Sequence, residues 1–232
     1  MKVLSYNLRK HRAVGELTAL AEQYAPDVIC LQECDTTDLP DTLGPLEQAH
    51  STTGNRLGLA VYYRSDEFEF QATRAVALKK SMHDRIAKPA HERLVGVRLF
   101  DRHADRDIVV ASFHAAPLTA LNSLRRHQIK AALAELQQLG PGLPTLMVGD
   151  YNYPVFKDKL ARTVREDGYE LTLSDSRTYT RYRIFRGHFD LATSVGFEID
   201  HIGTLARGSS DHLPILVSTR YADAQQAEAE AS

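Results

Sequence analysis

Residues 143–152 read LPTLMVGDYN: a short apolar run opened by a proline, cut by Gly149 and followed at once by Asp150 and Asn152. A run of this length between turn residues predicts a strand buried on both faces, and the glycine predicts a turn directly behind it. The turn then presents an aspartate and an asparagine at a strand's end, where loops on a rigid scaffold carry function. By itself such a pair is ordinary turn chemistry, because both side chains bond their own backbone.

The same pattern recurs on either side. In PDVICLQE (26–33) the apolar run Val28 to Leu31 ends in Gln32 and Glu33, and DIVVASFH (107–114) ends in His114. Near the N-terminus, Val3, Ser5 and Asn7 share one face of a strand, with Leu4, Tyr6 and Leu8 on the other. Further strands are predicted over 57–64, 93–100, 189–193, 198–204 and 214–219. Helical spacing of Leu17, Leu20, Ala21 and Tyr24 predicts a helix closed by Ala25-Pro26-Asp27. A longer helix is predicted over 118–139, with Leu121, Leu124, Leu133 and Leu136 as its apolar stripe and Gly140-Pro141 as its stop, and another from Val155 to Glu166. The chain is mixed α and β, without an internal repeat.

With 232 residues the chain can bury one large core, so residues 1–220 are expected to form one domain and 221–232, which include AQQAEAEAS, a frayed tail. Hydrophobic residues make up 43% without any apolar run near the roughly 20 residues of a membrane span. MKVLSYNLRK has no secretory pattern, so a cytoplasmic location is expected. Cys30 and Cys34 are expected to be reduced, structural thiols. A net charge of -2 argues against coating nucleic acid by bulk electrostatics, which leaves two local basic segments, 79–93 and 177–186, as candidate phosphate-facing rims.

Polar residues that terminate apolar strands are therefore Asn7, Glu33, His114, Asp150 with Asn152, and Asp211 with His212. They lie in YNLR, LQE, FHAAP, GDYN and SDHLP, and these five motifs in this order, between residue 3 and about 219, resemble the endonuclease/exonuclease/phosphatase superfamily, the deoxyribonuclease I-like metal-dependent phosphoesterases. The resemblance implies a four-layered α/β/β/α sandwich, with two mostly antiparallel sheets packed face to face.

It also implies roles. Glu33 would be the direct Mg2+ ligand, with Asn7 beside it and Asp211 close by; Mn2+ is the expected substitute, since a hard cation takes oxygen donors. Asp150 and Asn152 resemble the pair that activates and orients the attacking water. His212 resembles the histidine beside the scissile phosphate, able to donate to a phosphoryl oxygen or act as general acid. Its supporting carboxylate is Asp190, which begins a strand in HFDLATSVGFEI (188–199), or else Asp200, in a segment that superficially matches the family's signature. His114 resembles a second phosphate-facing histidine, and Arg93 and Arg9 are candidates for binding the substrate phosphate. The other histidines match no metal spacing such as HExxH, and the oxygen-rich donor set disfavours zinc.

Expected from this is metal-activated attack of water on a phosphodiester, as in a nuclease or phosphodiesterase, with nucleic acid or another phosphate ester as partner. No stable membrane association and no obligate protein partner are expected. A phosphatase or phospholipase C-type activity on inositol phosphates or phospholipid headgroups is the alternative within the class. A catalytically silent binding module is the alternative outside it.

Overall fold

In the computed structural model of the chain, residues 1–53, 57–80, 92–155, 157–179 and 187–222 are described. Strand β1 (Lys2–Asn7) is buried from Val3 onward and lies inside a sheet, parallel to β2 (Val28–Cys34) and antiparallel to β13 (Ile215–Tyr221). A parallel pair needs a crossover, and α1 (Leu17–Tyr24) provides it. With β12 (Phe197–Thr204), β5 (Gly58–Arg64), β4 (Leu46–Ser51) and β3 (Thr42–Leu43), the first sheet runs β12-β13-β1-β2-β5-β4-β3.

The second sheet comprises β6 (Phe68–Ala77), β7 (Glu92–Asp101), β8 (Arg106–His114), β9 (Thr145–Asp150), β10 (Glu170–Leu173) and β11 (Asp190–Val195), in the order β10-β11-β9-β8-β7-β6. Here β8 and β9 are the parallel pair, and α2 (Asn122–Leu139) crosses between them; α3 (Lys157–Arg165) follows β9.

Alternation along the strands sorts side chains into layers. Val3, Val28, Cys30 and Val61 of the first sheet meet Val97, Val110, Leu146 and Val148 of the second in one central core. The opposite faces meet helices: Leu4, Tyr6, Ile29 and Leu31 pack with Leu17 and Ala21 of α1, and Val109, Ala111 and Met147 pack with Ile129, Leu133 and Leu136 of α2 and with Leu160 and Val164 of α3. The result is the α/β/β/α sandwich, mostly antiparallel within each sheet.

The buried face of α2 differs from the expected leucine stripe. Leu121 precedes the helix and is 75% exposed, whereas Arg125, Gln128, Ile129, Ala132, Leu133 and Leu136 form the covered side. Two polar residues, Arg125 and Gln128, thus open a stripe that is apolar from Ile129 onward. Strands β3, β4, β6 and β10 are not evident from sequence, because β3, β6 and β10 lie at sheet edges, β4 next to one, and much of their surface is half-buried or exposed, so their patterns mix polar with apolar residues. Both cysteines are free and buried, and burial pushes the Cys34 thiol up to about 12, which keeps it protonated. No described helix is long and apolar enough to cross a membrane. Most of the two basic segments, and residues 223–232 of the expected tail, lie outside the described residues.

Candidate functional site

At one end of the seam between the sheets the inward-facing residues change from apolar to polar. Val3 gives way to Ser5 and Asn7, Val28 and Cys30 to Gln32, and Val110 to Ser112 and His114. The first polar level ties the sheets together: the fully buried Gln32 Nε2 donates to Ser112 Oγ at 2.9 Å, and Ser112 Oγ donates to the Leu31 carbonyl at 2.8 Å. The next level holds the candidate site. Asp190, Asp150 and His114 stand side by side on β11, β9 and β8, in register with one another, so strands about 4.8 Å apart align three ionisable groups on one face.

Glu33 reaches this level only through a break in its strand. Ile29 and Leu31 face α1, and simple alternation would send Glu33 the same way. Pairing with β5 is interrupted between Leu31 and Cys34, and Glu33 has φ 54°, as at a bulge that re-aims a side chain. Its Oε1 comes within 3.8 Å of His114 Nε2 on the other sheet. Across the opening, Arg9, Lys10 and His11 all have positive φ, and this turn points the Lys10 N–H at Glu33 Oε2 (3.0 Å) and the His11 N–H at the Glu33 carbonyl (2.8 Å).

Asp150 is 1% exposed and accepts three hydrogen bonds: from the Asn152 N–H to Oδ1 at 2.9 Å, and to Oδ2 from Asn152 Nδ2 at 3.0 Å and Asn7 Nδ2 at 3.1 Å. Burial pushes its pKa up to about 7; the His212 charge and the Asn152 N–H work against that rise, and the Asp190 and Glu33 charges add to it. The backbone just before it is equally constrained. Gly149 has φ +143° and a Cβ there would sit 2.0 Å from the Phe113 carbonyl oxygen, so only glycine permits this approach of β9 to β8.

His212 Nδ1 lies 2.8 Å from Asp190 Oδ2, and its Nε2 lies 3.7 Å from Asp150 Oδ2. Burial opposes the charged ring, but Asp190 and then Asp150 outweigh it and carry the pKa up to about 10. Asp200 is elsewhere, on the exposed side of β12 in an ion pair with Arg220. The loop bearing His212 is held at several points. Ser210 Oγ donates to the Asn7 carbonyl (2.6 Å) and accepts the His212 N–H (3.1 Å), Glu16 accepts both the Ser209 N–H (2.6 Å) and the Tyr6 hydroxyl (2.8 Å), and the Tyr179 ring meets the imidazole edge-on at 5.0 Å. Thr178 Oγ1 accepts the Asp190 N–H from the other side.

Asp211 is 6% exposed, with Arg9 Nε 3.5 Å from its Oδ2, so Arg9 lies at the site's edge. Arg93 is buried, and its guanidinium donates to the carbonyls of His114 (3.0 Å) and Ala115 (2.9 Å). The residues of all five motifs therefore meet in one place, with Arg93 behind the His114 turn. Glu16, Ser210 and Thr178 were not singled out by sequence; Ser210 lies within SDHLP, but nothing local marks the other two, whose partners are distant in the chain. Among the described residues, Asp150, Asp190 and His212 form a group that could hold a metal ion, their ligand atoms lying within 4.8 Å of one another.

The sequence pattern of the Endonuclease/Exonuclease/phosphatase family matches residues 4–212, a span that contains the first four motifs whole and the fifth as far as His212. The chain belongs to this family. Among curated relatives, the 2',5'-phosphodiesterase 12 of Bos taurus is 27% identical over 177 residues, covering 64% of this chain and 28% of that protein. The chain therefore spans well under half of that relative's length. Among solved structures, family folds cover nearly the whole chain: the mannosyl-6-phosphatase of Bacteroides thetaiotaomicron superposes with a TM-score of 0.74 at 15% identity, over 95% of this chain and 100% of that one. TDP2 of D. rerio, complexed with a single-strand DNA product, gives 0.74 at 12% identity, over 95% and 98%. At such identities the likeness establishes the fold of the family member, and its chemistry has to be argued from its own residues.

Proposed function

We propose that residues 1–220 form one catalytic unit that hydrolyses a phosphodiester with magnesium, by direct attack of water, on nucleic acid or a small diester. The observation that carries this reading is the meeting of Asp150, a buried carboxylate oriented by three donors, with an imidazole held charged by Asp190.

In this reading Asp150 accepts the proton of the attacking water, while Asn152 and Asn7 fix the direction of its lone pairs. A carboxylate whose pKa is pushed up to about 7 is well matched to that task near neutral pH. His212 donates from Nε2 to a phosphoryl oxygen as negative charge develops, with Asp190 on Nδ1 setting its tautomer and balancing its charge. His114, facing both Glu33 and Asp150, is the second donor to phosphate. Arg9 contributes positive charge at the rim, and Arg93 holds the backbone of the His114 turn.

Two donor sets compete for the metal. The group Asp150, Asp190 and His212 is compact, but its closest contact is the Nδ1 to Oδ2 hydrogen bond of the His–Asp pair, and a cation there would have to replace that proton. Glu33 and Asn7 are oxygen donors, with the Glu33 side chain 20% exposed and so accessible, and this fits a hard cation that keeps several waters. We therefore assign Mg2+, or Mn2+ in its place, to Glu33 and Asn7, with Asp211 nearby adding negative charge. When bound it supplies charge against the phosphate oxygens and against the clustered carboxylates.

The test is cleavage by metal-stripped protein of plasmid DNA, single-stranded DNA and RNA, bis-p-nitrophenyl phosphate, inositol phosphates and sphingomyelin, each with Mg2+, Mn2+ or EDTA. Metal-dependent cleavage of nucleic acid or the simple diester, lost in Asp150→Asn, is the expected result. Turnover of only the inositol or lipid compounds would move the protein to the phosphatase alternative, and silence throughout would refute the enzyme reading.

A further inference from the structure

Arg125 is the largest side chain buried to below 2% exposure among the described residues, and it lies in the first turn of α2, in none of the five motifs. Taking a guanidinium out of water is costly, and such a group persists where its hydrogen bonds accomplish something. Its three bonds go to neutral acceptors: Nε to the Ala116 carbonyl (3.1 Å), Nη2 to the Pro117 carbonyl (2.6 Å) and Nη1 to Asn122 Oδ1 (2.6 Å). Burial draws its pKa below the ordinary value, and the charge of Asp150 works in the opposite direction, so Arg125 lies within electrostatic reach of the site.

Its targets explain the placement. After His114 the chain leaves β8 yet stays buried through Ala116, and buried backbone groups must be satisfied. Here the four successive carbonyls from His114 to Pro117 are each met by a guanidinium, the first two by Arg93 and the last two by Arg125. The Ala116 N–H goes to Gln128 Oε1 (2.8 Å), one turn further along α2, and the Ala115 N–H to the Asp150 carbonyl (2.8 Å). A planar fork bonded to adjacent carbonyls fixes both position and orientation of the turn, which a single ammonium cannot do.

We propose that Arg125 is a positioning residue, which clamps the His114–Pro117 turn so that the His114 imidazole stands between Glu33 and Asp150. This rests on the reading that His114 meets the substrate phosphate. It acts through His114 and touches no reacting atom.

The experiment is a double-mutant cycle of Arg125→Met and His114→Ala, with kcat and KM for bis-p-nitrophenyl phosphate measured separately and folding checked by thermal melting. A misplacement of the order of 1 Å costs about 10²-fold, so Arg125→Met should lower kcat by about that factor with little change in KM. In the His114→Ala background it should cause little further loss, because residues acting as a unit are not additive. Arg125→Lys, which keeps the charge and most of the volume, should stay folded and still lose kcat; it decides the matter if Arg125→Met does not fold. Multiplying losses, or an Arg125→Lys enzyme with normal kcat, would overturn the proposal while leaving the phosphoesterase reading intact. A wild-type protein inactive on every substrate would remove both.

Discussion

Replacing Asp190 by Asn removes the charge that holds the His212 imidazole protonated while leaving the shape of the site nearly unchanged. With the ring carried from an ordinary 6.5 up to about 10, and about 1.4 kcal/mol per decade, the site as a whole, burial opposing and carboxylates outweighing it, favours the imidazolium by on the order of 5 kcal/mol. Asp190 is the largest of the groups that raise it and the one at hydrogen-bond distance, 2.8 Å from Nδ1. Without it, burial opposes the charge with only Asp150 and Asp211 left to sustain it, so the ring's pKa falls. One preorganised donor to developing charge is worth about 10² to 10³-fold in rate, so kcat for bis-p-nitrophenyl phosphate should fall by that factor with KM little altered. The alkaline limb of the pH–rate profile should also move to lower pH. Asp200→Asn is the control, since that carboxylate is exposed and paired with Arg220, and should leave kcat within about twofold. Equal effects of the two substitutions, or an Asp190→Asn enzyme with normal kcat and an unmoved alkaline limb, would refute the reasoning.

Other consequences are independent of that one. Gly149→Ala should cost on the order of 3 kcal/mol in urea unfolding and most of the activity, since its Cβ would meet the Phe113 carbonyl at 2.0 Å and push Asp150 out of register; an unchanged urea midpoint would contradict the packing described. Glu33→Ala should weaken Mg2+ binding, read by calorimetry, together with kcat, and normal metal affinity in this variant would shift the metal to the Asp150, Asp190 and His212 group. Because the folded-state pKa of His212 is raised, its contribution to stability is fully present below about pH 6.5 and is lost as pH rises through about 10. In EDTA, the urea midpoint of the wild type should therefore fall across that window more steeply than that of Asp190→Asn, and parallel curves would count against the buried charge pair.

Much of this protein was legible one residue at a time. The alternation of Val3, Ser5 and Asn7, and the short runs that stop at Glu33, His114 and Asp150, mark buried strands whose polar ends must be used for something, because burying polar groups without partners is costly. The order of the five motifs pointed to the family, and with it to the sandwich. Edge strands such as β6 were not legible, because half-exposed positions carry no periodic signal. What only the tertiary structure decided is how those ends converge. The register of β11, β9 and β8 puts Asp190, Asp150 and His114 in a row, and a break in β2 turns Glu33 inward against its own alternation. The choice between Asp190 and Asp200 was likewise one of distance, with Asp190 at His212 and Asp200 facing solvent beside Arg220. Arg125 belongs to the same class: in a helical run of polar and apolar residues it reads as a surface arginine, and only the packing of α2 over the end of β8 brings its guanidinium to the carbonyls that follow His114. Local pattern specifies which face a residue takes, but partners distant in the chain, such as Asn7 and Asp150, are chosen by the packing of two sheets, which no local pattern encodes.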